Sequence, residues 1–231
     1  MRSKKSAGKR ISPVVLTIGH STRSIEEFIR LLQAHEVTCL ADVRTIPRSR
    51  HNPQFNADSL PASLKTAGIR YVHIAELGGL RHTTRDSING GWRNTSFRGF
   101  ADYMQTPEFA EAIDRLIELA RHERIAIMCA EAVPWRCHRS LISDALLIRG
   151  IRVEHIMSLT HRQAHALTPF AKVRGMQITY PPEKSGGAEK PRRKTSPARS
   201  RAVQTKQKPV LPKKHSAKPR KRKSADLPVS V

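Results

Sequence analysis

Residues 125–142 (IAIMCAEAVPWRCHRSLI) concentrate the side chains that could do chemistry. Cys129 and Cys137, two of three cysteines, bracket a turn containing Pro134, with Glu131, Arg136, His138 and Arg139 between or just after them. A thiol beside histidine and arginine suits nucleophilic or soft-metal chemistry. Guanidinium forks match phosphate oxygens, and histidine with a carboxylate can move a proton. The apolar run before the turn and the helical apolar spacing after it predict strand, turn and helix. Such a junction sets a strand end against a helix N-terminus, where α/β proteins bind ligands.

Those residues need partners from elsewhere, and an alternation of strands and helices supplies them. Residues 14–18 read as a buried first strand, followed by the polar turn Gly19, His20, Ser21, Thr22. Ser24 and Glu27 have capping-box spacing and open a helix with Ile25, Phe28, Ile29 and Leu32 on its inner face. Residues 37–43 predict a second strand, and a polar loop over 47–55 follows. A helix over 57–67 stops at Gly68, and residues 69–74 predict a third strand. Residues 80–99 read as irregular. Thr106, Pro107 and Glu108 start a helix with Phe109, Ile113, Leu116, Ile117 and Ala120 inside. The fourth strand is 125–129. The next helix carries Leu141, Ile142, Ala145 and Leu146 and ends at Gly150, and 153–157 is a fifth strand. Residues 168–170 and 178–180 close the domain as a short helix or an edge strand.

This order predicts right-handed βαβ units and a three-layer, Rossmann-like α/β domain with a mainly parallel sheet of about five strands. The carboxyl ends of parallel strands share one edge, which collects residues distant in sequence. His20, Asp42, Glu131 and His138 are the candidate catalytic groups. Ser21, Arg44, Arg48, Glu76, Gly78, Gly79, Arg136 and Arg139 are candidate substrate contacts. No G-x-G-x-x-G follows the first strand and no Walker sequence occurs, so the cofactor is unknown.

Several motifs together resemble one family: 16–22 (LTIGHST), 42–44 (DVR) with 47–49 (PRS), 52–55 (NPQF) and 71–79 (YVHIAELGG). Residues 129–131 (CAE), 137–140 (CHRS) and 167–170 (LTPF) complete the set. Across residues 16–170 the chain is similar to the domain of unknown function 488 family, an uncharacterised prokaryotic α/β group. The resemblance implies the domain limits and the choice of motif residues, and no activity.

Three readings of the edge stay open. The first is a nucleotide- or nucleic-acid-processing enzyme using the arginines and histidines. The second is a non-catalytic module binding the same ligands. The third is a hydrolase that is metal-dependent or cysteine-based, with Cys129 as nucleophile or Cys129, Cys137 and His138 as ligands. Cys129 to Arg136 is C-x6-R, one residue longer than the loop of cysteine phosphatases, and it carries Glu131 and Pro134. His161 and His165 would share a face if their segment were helical, and Trp92 and Trp135 could stack on a base or cover the sheet edge. Cys39, inside the second strand, reads as a small hydrophobe.

Charge divides the 231-residue chain into three parts. Its formal net charge is +23, but residues 11–180 account for only +5. Residues 1–10 form a basic N-terminal extension with five Lys or Arg, and 181–231 hold sixteen against three acids. The tail is rich in Lys, Arg and Pro and lacks aromatics, a composition expected to be disordered. It would bind nucleic acid or another polyanion without sequence preference. Three cysteines form no disulfide framework, and no apolar run approaches the roughly 20 residues of a membrane span. The expected setting is the cytoplasm, with nucleoid association through the tail, and no membrane partner.

Overall fold

The structure, a computed structural model, describes residues 13–183. The N-terminal extension and the tail from residue 184 onward lie outside the described residues, and with them the tail's expected disorder and polyanion binding.

Six strands form the main sheet: β1 (Val14–Gly19), β2 (Cys39–Asp42), β3 (Arg70–His73), β4 (Ile125–Cys129), β5 (Arg152–Ile156) and β6 (Arg162–Ala164). Their order is β3-β2-β4-β1-β5-β6; the first five run parallel, and β6 pairs antiparallel to β5. Helices cover both faces, giving the expected three-layer Rossmann-like core. Alternation along the central strands builds it. Leu16, Ile18, Ala126 and Met128 pack with Phe28, Leu31 and Leu32 of α1 (Ile25–Ala34) and with Leu60 and Leu64 of α2 (Leu60–Thr66). On the opposite face, Val15, Ile125, Ile127 and Cys129 meet three helices. These are α3 (Thr95–Tyr103), α4 (Pro107–His122) and α5 (Arg139–Leu147). Each such fully buried Leu, Ile or Phe contributes roughly 1.5–3 kcal/mol relative to exposure.

Four expectations change. Residues 80–99 are not wholly irregular, because Asn94 accepts from the Ser96 and Phe97 amides and caps α3. Gly99 inside that helix weakens its sequence signal, yet a Cβ there would lie 2.5 Å from the Arg81 carbonyl oxygen. Residues 162–164 form a strand, so His161 and His165 do not share a helix face. The chain beyond it builds a separate hairpin, β7 (Lys172–Arg174) and β8 (Gln177–Thr179), that buries Ile178 and Tyr180 in the core. The capping box is half formed. Ser24 accepts from the Glu27 amide, whereas the Glu27 carboxylate pairs with Arg23. Gly68 and Gly150 stop their helices at positive φ, 73° and 74°. Among the described residues, no helix is long and apolar enough to cross a membrane.

Candidate functional site

Because β4 lies between β1 and β2, their three carboxyl ends sit side by side. There a cavity of about 440 Å³ opens, bounded by His20 after β1, by Arg44, Thr45, Ile46, Arg48 and Ser49 after β2 and by Cys129 to Glu131 after β4. Gly79 and Leu80, Asn94, Ser96 and Phe97 at the start of α3, and Arg136, Cys137 and His138 complete its wall.

The Asp42 and Arg44 side chains are committed to each other. Asp42 is fully buried at the end of β2, and Arg44 is 6% exposed. Arg44 donates from Nε to Oδ1 at 2.9 Å and from Nη2 to Oδ2 at 2.6 Å, and Nη2 also reaches the Phe55 carbonyl at 2.6 Å. The Tyr71 hydroxyl donates to Oδ2 at 2.9 Å. Burial and the adjacent carboxylate push the Tyr71 phenol well above its ordinary pKa. Asp42 does not line the cavity, and of the Arg44 fork only Nη1 turns toward His20, 3.5 Å from Nε2.

His20 stacks on Phe55 with ring centroids 4.3 Å apart, and its Nδ1 donates to the Ser21 carbonyl at 2.8 Å. Burial, with the Arg44 charge adding to it, holds its pKa at about 4. At neutral pH it is therefore an uncharged acceptor and a weak base. Ser21 makes the turn with φ of 51°, its amide bonding the Ala130 carbonyl, and it does not line the cavity.

The floor is Cys129, Cys137 and His138. His138 Nε2 lies 3.0 Å from the Val43 carbonyl, which can only accept, so in the neutral ring Nε2 carries the hydrogen. Nδ1 then presents a lone pair 3.9 Å from Cys129 Sγ and 3.7 Å from Cys137 Sγ. The two thiols are driven apart. Donation by Cys129 holds the Cys137 thiol well below its ordinary pKa, with the Arg139 charge assisting. The same bond and burial push Cys129 well above it. That direction disfavours the Cys129 thiolate, the form a nucleophile needs.

Arg139, in α5, belongs to the framework. It is 1% exposed, and donates to Cys137 Sγ at 3.4 Å, Thr17 Oγ1 at 3.3 Å and the Glu131 carbonyl at 2.5 Å. Those bonds pin the turn to β1 and leave the guanidinium outside the cavity wall. Gly78 is buried against Thr45, and Glu76 is exposed and away from the cavity. Gly79 does line it: a Cβ there would lie 2.5 Å from His138 Nδ1. Arg48, Glu131 and Arg136 are exposed, and their side chains make no hydrogen bond or ion pair among the described residues. Trp92 packs on Phe97, Phe170 and Tyr180, whereas Trp135 is 58% exposed beside a different cavity.

A family model, Domain of unknown function DUF488, matches residues 24–146. The chain belongs to the DUF488 family. The matched span runs from the cap of α1 to the last turn of α5, so it contains the Asp42–Arg44 pair and the Cys129, Cys137, His138 floor. His20, on β1's exit, precedes it. Comparisons with curated proteins and with solved structures found no match.

One cluster in the DUF488 chain, mostly outside that span, was missed in the sequence. His155 of β5 bonds Thr17 Oγ1 at 2.8 Å and His165 at 3.1 Å, and His165 bonds Asp144 at 2.8 Å. The pairing of β5 with β1 sets His155 beside Thr17, and the pairing of β6 with β5 brings up His165, so spacing held no signal for the cluster. Burial holds the His155 pKa at about 4, with the His165 and Arg139 charges adding to it, which matches His20.

These two histidines predict an acid transition. Both take up a proton near 6.5 when unfolded and near 4 when folded, so the unfolded chain binds more protons between those values. Stability is complete above pH 6.5 and declines as pH falls toward 4, by on the order of 3 kcal/mol per histidine. Urea midpoints between pH 7.5 and 4 measure it. His155→Gln, which carries no titrating group, should flatten part of the slope.

Proposed function

We propose that the cavity binds a phosphate-bearing ligand, a nucleotide or a nucleic-acid terminus. Arg48 and Arg136 carry this reading: two exposed guanidinium groups edge one cavity, and neither is paired with an acid among the described residues. Guanidinium forks bind phosphate oxygens in pairs. In the same wall, exposed Ile46 and Leu80 and half-buried Phe97 offer an apolar surface for a base. About 440 Å³ lies within the range of small-molecule sites.

The test is calorimetric titration of the full chain with a nucleoside, its monophosphate and its triphosphate. The phosphorylated ligands should bind, and Arg48→Ala and Arg136→Ala should each weaken them roughly 10- to 100-fold, the worth of one charged hydrogen bond. Equal affinity for the nucleoside and its phosphates would refute the reading. Turnover of the bound ligand separates enzyme from binding module. The module reading is favoured by the engagement of Asp42 with Arg44 and by the weak basicity of His20, which leave the floor as the place for any chemistry. The basic tail, outside the described residues, would add sequence-independent nucleic-acid contact. Deleting residues 184–231 should remove the steep salt dependence of duplex binding.

A further inference from the structure

We propose that Cys129, Cys137 and His138 bind one zinc ion at the floor of the cavity, with its fourth position open to the ligand. The inference rests on the phosphate reading only for what that fourth position faces; the ion's three ligands stand on their own geometry.

The donor set comes first. Two sulfurs and one imidazole nitrogen lie within 4.8 Å of one another, and it is the one such His, Cys, Asp or Glu group of three among the described residues. Tetrahedral zinc with Zn–S near 2.3 Å and Zn–N near 2.0–2.1 Å places sulfur and nitrogen about 3.6 Å apart. The two distances here are 3.7 and 3.9 Å, within a few tenths of an ångström of that value, and the two sulfurs lie within 4.8 Å of each other against about 3.8 Å in a tetrahedral site. Zinc binding replaces the thiol proton or protons, which pass to solvent, by Zn–S bonds.

The surroundings are those of a metal-ligating histidine. A ligating ring is oriented by a hydrogen bond from its other nitrogen, often to a backbone carbonyl. Val43 provides that acceptor for Nε2, which leaves the Nδ1 lone pair aimed at the sulfurs. Arg139 donates to Cys137 Sγ and fixes that sulfur from behind. Gly79 matters for space, since any side chain there would occupy the volume beside Nδ1. All three ligands line the cavity, so the remaining coordination position faces its interior. Three protein ligands with one open position is the pattern of a catalytic rather than a structural zinc site.

Cobalt(II) is the probe, added to the untagged, reduced full chain. The expected result is one cobalt per chain, with a thiolate-to-cobalt charge-transfer band that zinc displaces. Cys137→Ser and His138→Gln should each remove the band and weaken zinc by more than roughly 100-fold. Should either variant fold poorly, the wild-type spectrum and stoichiometry alone still decide. Absence of the band in the reduced wild-type chain would overturn the site. So would cysteines that close into a disulfide and take up no metal. A band accompanied by no preference for phosphorylated nucleosides supports the zinc site while refuting the phosphate reading. Phosphate binding without a band does the reverse.

Discussion

Asp42→Ala should destabilise the domain by about 3–5 kcal/mol, because it leaves the Arg44 charge buried and unpaired. The carboxylate accepts from Arg44 Nε and Nη2, the Arg44 amide and the Tyr71 hydroxyl, and it is 0% exposed. Water cannot replace it there without opening the end of β2. On the heat of unfolding expected for a domain of this size, the loss lowers Tm by roughly 10 °C. Asp42→Asn keeps the shape but points an amide donor at donors, so it should recover only part. The double variant Asp42→Leu, Arg44→Met removes both charges and should be more stable than Asp42→Ala, since a paired buried charge contributes little beyond offsetting its own desolvation. Thermal and urea unfolding of the three variants measure this. If Asp42→Ala and wild type melted together, the pair would have to be solvated in solution.

Asp144→Ala should cost about 3–5 kcal/mol, because it leaves several buried donors without their acceptor, and its effect should be local as well as global. Its two oxygens accept from His165 Nε2, the Thr168 amide, the Thr168 hydroxyl and the Tyr180 hydroxyl. One buried side chain on α5 therefore latches the segment after β6 and the end of β8. Asn89 adds a second tether by accepting from the Tyr180 amide. Without Asp144, hydrogen exchange should accelerate first at residues 162–180, while β1 and β4 retain protection close to the global value. Uniform acceleration through the sheet would show that the latch is part of the global unit. Thr168→Val removes one of the four bonds and should cost about 1 kcal/mol, which sets the scale for the rest.

Legibility in the sequence tracked how local each interaction was. The apolar spacing of Phe28 and Leu32, of Phe109, Ile113 and Leu116, and of Leu141, Ile142 and Ala145 states helices by itself, and those residues are buried. Gly68 and Gly150 state helix ends because positive φ favours glycine. α3 was hidden because Gly99 lowers helix propensity for a reason that lies in another segment, the backbone at Arg81. Arg139 and Arg136 look alike on paper, yet one is sealed against Thr17 and Cys137 and the other is exposed on the cavity. Burial is a property of the packed whole, and no spacing rule separates them.

By itself the sequence determined the alternation of strands and helices, and with it a shared edge where His20, Arg44, Cys129 and His138 could meet. It also separated an ordinary domain from basic ends, since charge is counted without coordinates. Only the tertiary structure decided that β4 enters between β1 and β2. It decided that Asp42 consumes the Arg44 fork, and that a Val43 carbonyl turns His138 Nδ1 toward both sulfurs. Those outcomes depend on contacts between residues tens of positions apart, set by strand order and side-chain packing that local periodicity does not encode.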